Sequence, residues 1–412
     1  MRNGWTGGQY SVFRALFGSY LFVHFTMLLP WGAEVFSSAG MVADAHASPL
    51  IGVFPNVLGV LDTPAFVSLF LVSAAVASLA FAVGSHDRLA ALWLWYVLAC
   101  LFGRNPMIQN PSLPYVGWML LAHVCLPSAP YGSWAARGRL DPASGWRLPA
   151  AIFFAAWAVL ALSYSYSGWT KTFSESWTDG HMLGFVLQNP LARDGLPRTA
   201  FLALPAALQA AVTHAILWIE LLFALLVLWR PLRIAAWTAM LIVQFGFALL
   251  LDFADLTCAM LLVHLLTFDP AWIRGSAPTA VETIFYDGQC GLCHRVVRFV
   301  LAEDAHAVFR LAPLQGTAFE HALPAPVRAR LPDSFLVLTA DGRVASRSDA
   351  AIHVLERLGG LWRIAGAALR LVPRTWRDRA YDAIGRNRHA LFARPIAACP
   401  LTPPHLRGRF LA

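Results

Sequence analysis

Eight apolar runs fill the first two thirds of the chain, at about 12–29, 64–83, 89–103, 113–127, 148–168, 207–229, 234–251 and 254–268. They are separated by polar or turn-forming segments such as Gly84-Ser-His-Asp-Arg88 and Trp229-Arg-Pro-Leu-Arg233. Because a helix needs about 20 residues to cross a bilayer, the pattern predicts a multi-pass α-helical membrane domain of about eight helices. The runs near 113 and 254 are short enough to be re-entrant instead. The first is too long for a signal-peptide core and has no small-x-small cleavage site after it, so it reads as a retained span. Trp5, Trp31, Trp93, Trp95, Trp118 and Trp169 suit interfacial anchors.

After Asp269-Pro270 the apolar blocks give way to short strand-like runs and scattered arginines, which places a domain boundary between 1–276 and 277–412. Val281 to Tyr286 reads as a buried strand, Asp287-Gly288 as a turn, and Cys290-Gly-Leu-Cys293 as the opening of a helix with Val296, Val297, Val300 and Leu301 on its apolar face. Strands at 307–311, 334–338 and 343–345 and a helix from Asp349 follow. That order resembles a thioredoxin-like α/β fold, in which a cis-proline faces the dithiol, and Pro332 holds the corresponding place.

Composition agrees with two solvents for one chain. The 412 residues are 58% hydrophobic and only 13% charged, too few ionisable groups for an ordinary globular surface. Residues 277–412 carry 18 Arg against 11 acids, whereas 1–276 are nearly balanced. Basic residues are more frequent in the loops that lie inside if the N-terminus is inside, including Arg2, Arg88, Arg137, Arg139 and Arg147. This predicts a bacterial inner-membrane protein with both termini, and the C-terminal domain, in the cytoplasm. The basic domain suits contact with anionic lipid; no recognition motif points to nucleic acid.

A thiolate at a helix N-terminus is stabilised by the unpaired N–H groups and the dipole, so Cys290, expected to be exposed, can attack a disulfide. Cys293, one turn on, can then resolve the mixed disulfide, and neither step needs a cofactor. Zinc binding usually requires four ligands, and no second Cys-x-x-Cys or His pair follows, so no metal site is expected. A merely structural disulfide is the other alternative. Asp287 is either the turn residue that Asp-Gly commonly marks or a group that tunes the thiols. Cys399, in a Pro-rich stretch, reads as a loose thiol.

The run Tyr286-Asp-Gly-Gln-Cys-Gly-Leu-Cys293 resembles the signature of the DCC thiol-disulfide oxidoreductases, with Asp287, Cys290 and Cys293 matching one for one. Arg347-Ser-Asp-Ala-Ala-Ile352, Leu358-Gly-Gly-Leu-Trp362, Arg377-Asp-Arg-Ala-Tyr-Asp382 and Arg386-Asn-Arg-His389 extend the resemblance over about 280–400. It implies thiol–disulfide exchange with a redox partner protein or peptide substrate.

Lys171 is the only lysine in the chain. A desolvated lysine can act as a base where arginine cannot; equally, an interfacial lysine can snorkel to headgroups and pair with Glu175 one turn on. Gly168-x-x-Lys171, Trp177-x-x-Gly180 and the block from Phe245 into Leu266-Thr-Phe-Asp-Pro270 resemble the HTTM domain. That module occurs in vitamin K-dependent gamma-carboxylases and in a bacterial protein that helps mature a secreted peptide toxin. The resemblance implies a base role for Lys171 and a vitamin K-like quinone in the membrane domain. Pro111, in Asn110-Pro-Ser112, stands where the carboxylases carry a catalytic histidine. Glu220, Arg14 and His181 are further candidates for polar residues of a membrane cavity, with Glu220 suited to pair with Arg14. Three functions follow: a membrane-tethered oxidoreductase, a carboxylase-like or quinol-oxidising membrane enzyme, and a non-enzymatic helper in peptide maturation or export.

Overall fold

A computed structural model of the chain describes residues 3–108, 110–142, 144–273, 281–332, 334–392 and 403–411. The expected boundary at 276/277 and Cys399 lie outside the described residues. The apolar runs form eight principal helices: α1 (Gly7–Leu28), α2 (Pro64–Val83), α3 (Asp87–Arg104), α4 (Leu113–Val124), α5 (Ala150–Lys171), α6 (Ala206–Leu226), α7 (Arg230–Leu250) and α8 (Ala254–Thr267). Five of them, α1, α2, α5, α6 and α7, are long and apolar enough to cross a membrane. Local chemistry sets their ends. Thr63 accepts a hydrogen bond from the Phe66 amide to cap α2, Pro64 occupies its first turn, and Gly84 ends it in a left-handed conformation at φ 73°.

The chain divides into two compact units. The helical unit comprises Phe13–Leu126 and Pro149–Phe268. Its helices approach closely where they carry glycine. A Cβ on Gly168 of α5 would sit 2.2 Å from the Leu221 amide nitrogen of α6, and one on Gly18 of α1 would sit 2.6 Å from Cβ of Ala82 on α2. Without a hydrophobic driving force between helices, such small-residue contacts are what allow dense packing in lipid.

The second unit gathers Arg2–Val12, Pro127–Leu148 and Asp269–Ala412. Its centre is a four-stranded sheet in the order β2-β1-β3-β4, from β1 (Glu282–Tyr286), β2 (Phe309–Pro313), β3 (Leu336–Leu338) and β4 (Val344–Ser346). β1 runs parallel to β2 with Ile284 opposite Leu311, and antiparallel to β3 with Ile284 opposite Val337. A parallel pair needs a crossover, which α9 (Gly291–Glu303) supplies, burying Cys293, Val297, Val300 and Leu301 at helical spacing. Helices α10 (Arg347–Leu358), α11 (Gly360–Arg370) and α12 (Arg374–Leu391) complete the unit. The segment near 410 returns to β2, where the Leu311 amide donates to Arg409 O at 2.9 Å and the Leu411 amide to Leu311 O at 2.9 Å.

The N-terminal residues are held by Glu303, only 2% exposed, whose carboxylate accepts from Thr6 Oγ1, the Gly8 amide (2.8 Å) and Trp362 Nε1 (2.6 Å). Burial raises its pKa against the lowering effect of those bonds. Trp5 is fully buried rather than an interfacial anchor.

Replacing Gly168 with Val should force α5 from α6 and lower the thermal midpoint of the detergent-solubilised protein, consistent with the roughly 1–3 kcal/mol that overpacking costs. Gly246→Ala, where a Cβ meets nothing within 4 Å, should leave the midpoint unchanged. Tryptophan fluorescence melting compares the two.

Candidate active site

β1 ends at Tyr286 and the chain turns at Asp287. Asp287 Oδ1 accepts from the Gln289 amide at 2.9 Å and from Gln315 Nε2 at 3.1 Å; Oδ2 lies 3.5 Å from Arg388 Nη2 on α12. Asp287 is therefore a turn residue and an ion-pair partner at once. Its carbonyl accepts from the Cys290 amide at 3.2 Å, which seats Cys290 at the N-cap of α9 with extended backbone angles. Cys293 falls in the first turn, where N–H groups lack helical partners.

Both cysteines are free thiols, and Cys293 is hydrogen-bonded to Cys290. Burial, then the neighbouring Cys290, pushes the Cys293 thiol up to about 12. Cys290, expected to be exposed, is fully buried. Its place in the core explains this: Tyr286, Val297 and Leu311 belong to the same cluster, as do Leu406 and Phe410 of the returning C-terminal segment. Cys293, 8% exposed, lines an apolar cleft of about 670 Å³ with Leu292, Phe335, Tyr381 and Arg388.

The cis-proline expected at Pro332 is absent: no peptide bond among the described residues is cis. Trans is the ordinary state of an X–Pro bond, and Pro332 lies in the connection between a short helix, Ala325–Arg328, and β3. Phe335 instead lines the cleft beside Cys293, its amide donating to Tyr381 Oη at 3.2 Å. His294 Nε2 lies 3.0 Å from the Gly288 carbonyl, and no cluster of metal-ligating side chains occurs among the described residues. Sequence reasoning assigned no role to Arg388 and Tyr381. They stand seven residues apart on α12, two helical turns, so helical spacing within the matched blocks was the signal that could have paired them.

In the helical unit, Lys171 Nζ hydrogen-bonds Glu220 Oε2 and lies 4.3 Å from the Trp177 ring centroid. Gly168, one turn before Lys171, permits the backbone approach that brings Glu220 within reach. Glu220 does not pair with Arg14, which lies 3.9 Å from Asp87. Residues 14 and 220 sit on helices whose buried faces meet other partners, and Glu175 is likewise not the partner of Lys171. His181 is exposed at the start of a short helix, Met182–Gln188, near Phe185.

Residues 284–394 match the family described as DCC1-like thiol-disulfide oxidoreductase. The chain is 33% identical over 134 residues to the uncharacterized protein YuxK of Bacillus subtilis, covering 32% of this chain and 93% of that protein. The chain belongs to the DCC1-like thiol-disulfide oxidoreductase family. A chloroplastic DCC family protein of Arabidopsis thaliana is 29% identical over 111 residues, 27% of this chain and 64% of the relative. No solved structure matches the chain. The family match contains Asp287, Cys290, Cys293, Phe335, Tyr381 and Arg388, whereas Leu406 and Phe410, which pack in the same cluster as Cys290, lie beyond it.

Burial, the largest cause of the Cys293 shift, does not depend on the Cys290 sulfur. In a Cys290→Ser chain, iodoacetamide alkylation of Cys293 should therefore keep rising about tenfold per pH unit past pH 9, where an ordinary thiol levels off. Mass spectrometry of the labelled peptide measures this; a plateau at pH 9 contradicts it.

Lys171→Met should leave Glu220, 3% exposed, as an unpaired buried charge and destabilise the helical unit by about 3–5 kcal/mol. The double variant Lys171→Met, Glu220→Gln should recover most of the loss in the same detergent melt.

Proposed function

We propose that the chain is a membrane-tethered thiol–disulfide oxidoreductase whose reacting groups are Cys290 and Cys293. The observation that carries the reading is a pair of free, hydrogen-bonded thiols at the N-terminal end of α9, inside the family-matched domain. Cys290 attacks one sulfur of a substrate disulfide, forming a mixed disulfide and expelling the other sulfur as thiolate. Cys293 then loses its proton and attacks Cys290, forming the Cys290–Cys293 disulfide and releasing the second substrate thiolate. The substrate gains two electrons and the pair loses two; run backwards, the same steps oxidise a dithiol. Because Cys293 is held protonated, Cys290 is the better first nucleophile, and access to it requires opening at the cleft on the Cys293 side. The sheet order, with β1 and β2 parallel and β3 and β4 antiparallel, supports a thioredoxin-like reading of the fold.

Tethering rests on the apolar helices. The segments 2–12, 127–148 and 269–412 fold into one unit, so an even number of membrane crossings separates each from the next. Four helices, α1 to α4, lie between the first two, and α5 to α8 lie between the second and third. The arrangement supports eight crossings, although α4 and α8, at 12 and 14 residues, span only about 18 and 21 Å at 1.5 Å per residue. Local thinning of the bilayer and snorkelling of flanking residues accommodate such short helices. With the arginine distribution, it supports a cytoplasmic position for all three segments.

Cys293→Ser should trap a mixed disulfide on Cys290, and Cys290→Ser should abolish both trapping and disulfide reduction. Unchanged reduction in Cys290→Ser would falsify the assignment.

For topology, a membrane-impermeant maleimide added to intact cells should label Val53→Cys, a position 72% exposed in the loop after α1. It should miss Arg137→Cys until the membrane is opened. Labelling of both from one side contradicts eight crossings.

A further inference from the structure

The helical unit holds a second constellation, unrelated to the dithiol. Asp255, at the start of α8, meets three polar side chains from two other parts of the chain. Its Oδ1 accepts from Tyr20 Oη at 2.9 Å and lies 2.8 Å from His24 Nδ1, both on α1; its Oδ2 accepts from Asn110 Nδ2, just before α4. Asn110 is itself fixed, its Oδ1 accepting from the Ser112 amide and hydroxyl. Tyr20, His24, Asn110 and Asp255 line a cavity of about 460 Å³ together with Asn105, Asp252 and mostly apolar side chains, among them Leu98, Leu101, Phe102 and Phe253.

We infer that this cavity binds an apolar molecule carrying a hydroxyl group, an alcohol or a phenol, with the hydroxyl on His24 and Tyr20. A polar network at the base of an apolar cavity is the usual composition of a small-molecule site, and polar groups at membrane depth ordinarily serve one. The direction of hydrogen bonding selects the ligand. A carboxylate can only accept, so in its neutral form the His24 ring places its proton on Nδ1, toward Asp255, and presents Nε2 as an acceptor. Tyr20 spends its O–H on the same carboxylate, which leaves its oxygen as an acceptor too. The two groups next to Asp255 therefore seek a donor. A hydroxyl supplies one, whereas its ether leaves both acceptors unpaired, the costly case for buried polar groups. The mouth suits entry from lipid: Val23 and Met27, which line the cavity, are 53% and 71% exposed on the helical surface. Cys258, an exposed free thiol, lines it as well and serves as a built-in reporter.

The test uses the full-length protein in nanodiscs with para-nonylphenol and para-nonylanisole, which share their apolar body and differ in the O–H. Protection of Cys258 from N-ethylmaleimide is read by mass spectrometry. The phenol should halve the labelling rate at a concentration at least about tenfold below that needed for the anisole. His24→Ala should bring the two within about twofold, each read against the labelling rate of the same variant without ligand. Where His24→Ala fails to fold, Tyr20→Phe, which keeps the ring, should cut the preference at least about threefold. Equal protection by both compounds, no protection by either, or a full preference surviving in a folded variant overturns the proposal.

Discussion

One stripe of α9 has two tasks. The positions that bury Val297, Val300 and Leu301 against the sheet also carry Cys293, and the N-cap that starts the helix is Cys290. The sulfurs are consequently placed by the core itself rather than by a surface loop. Burial is then the main influence on Cys293, whose thiol pKa it raises. Cys293 borders the cleft beside Phe335 and Tyr381, whereas Cys290 is enclosed by the core. A dithiol sited in this way is geometrically fixed and shielded from adventitious partners.

The arrangement depends on long-range ties as well as on the helix. Arg388 reaches Asp287 from α12, Asp304 at the end of α9 holds Arg409 at 2.5 Å, and Glu303 beside it gathers the backbone of Gly8 and the side chains of Thr6 and Trp362. Charged groups at both ends of α9 thus fasten it to the distant N- and C-terminal segments of its own unit. Breaking any one partner leaves a buried or half-buried charge, which makes each tie costly to lose.

The parts legible in sequence were those set by local pattern. Apolar runs, the Asp-Gly turn and the Cys-x-x-Cys before a helix each require only neighbours within a few residues, and all appear close to the expected positions. What escaped was set by chain return. Cys290 looked exposed because the segment around Leu406 and Phe410, more than a hundred residues on, could not be placed against it. Glu220 was matched to Arg14 by charge alone, whereas the glycine gap at Gly168 decides in favour of Lys171. Pro332 was assigned by analogy of order, and the trans peptide shows that position in the chain does not establish a proline's geometry. The meeting of His24 with Asp255 was not legible either, since it joins helices over two hundred residues apart.

The most direct measurement is a redox titration of the full-length protein in thiol–disulfide buffers of graded potential, with Cys290 and Cys293 read by mass. The account predicts a single two-electron transition in which these two sulfurs become joined to each other. Sulfurs that never join at any potential, or that bond only to outside partners, contradict it.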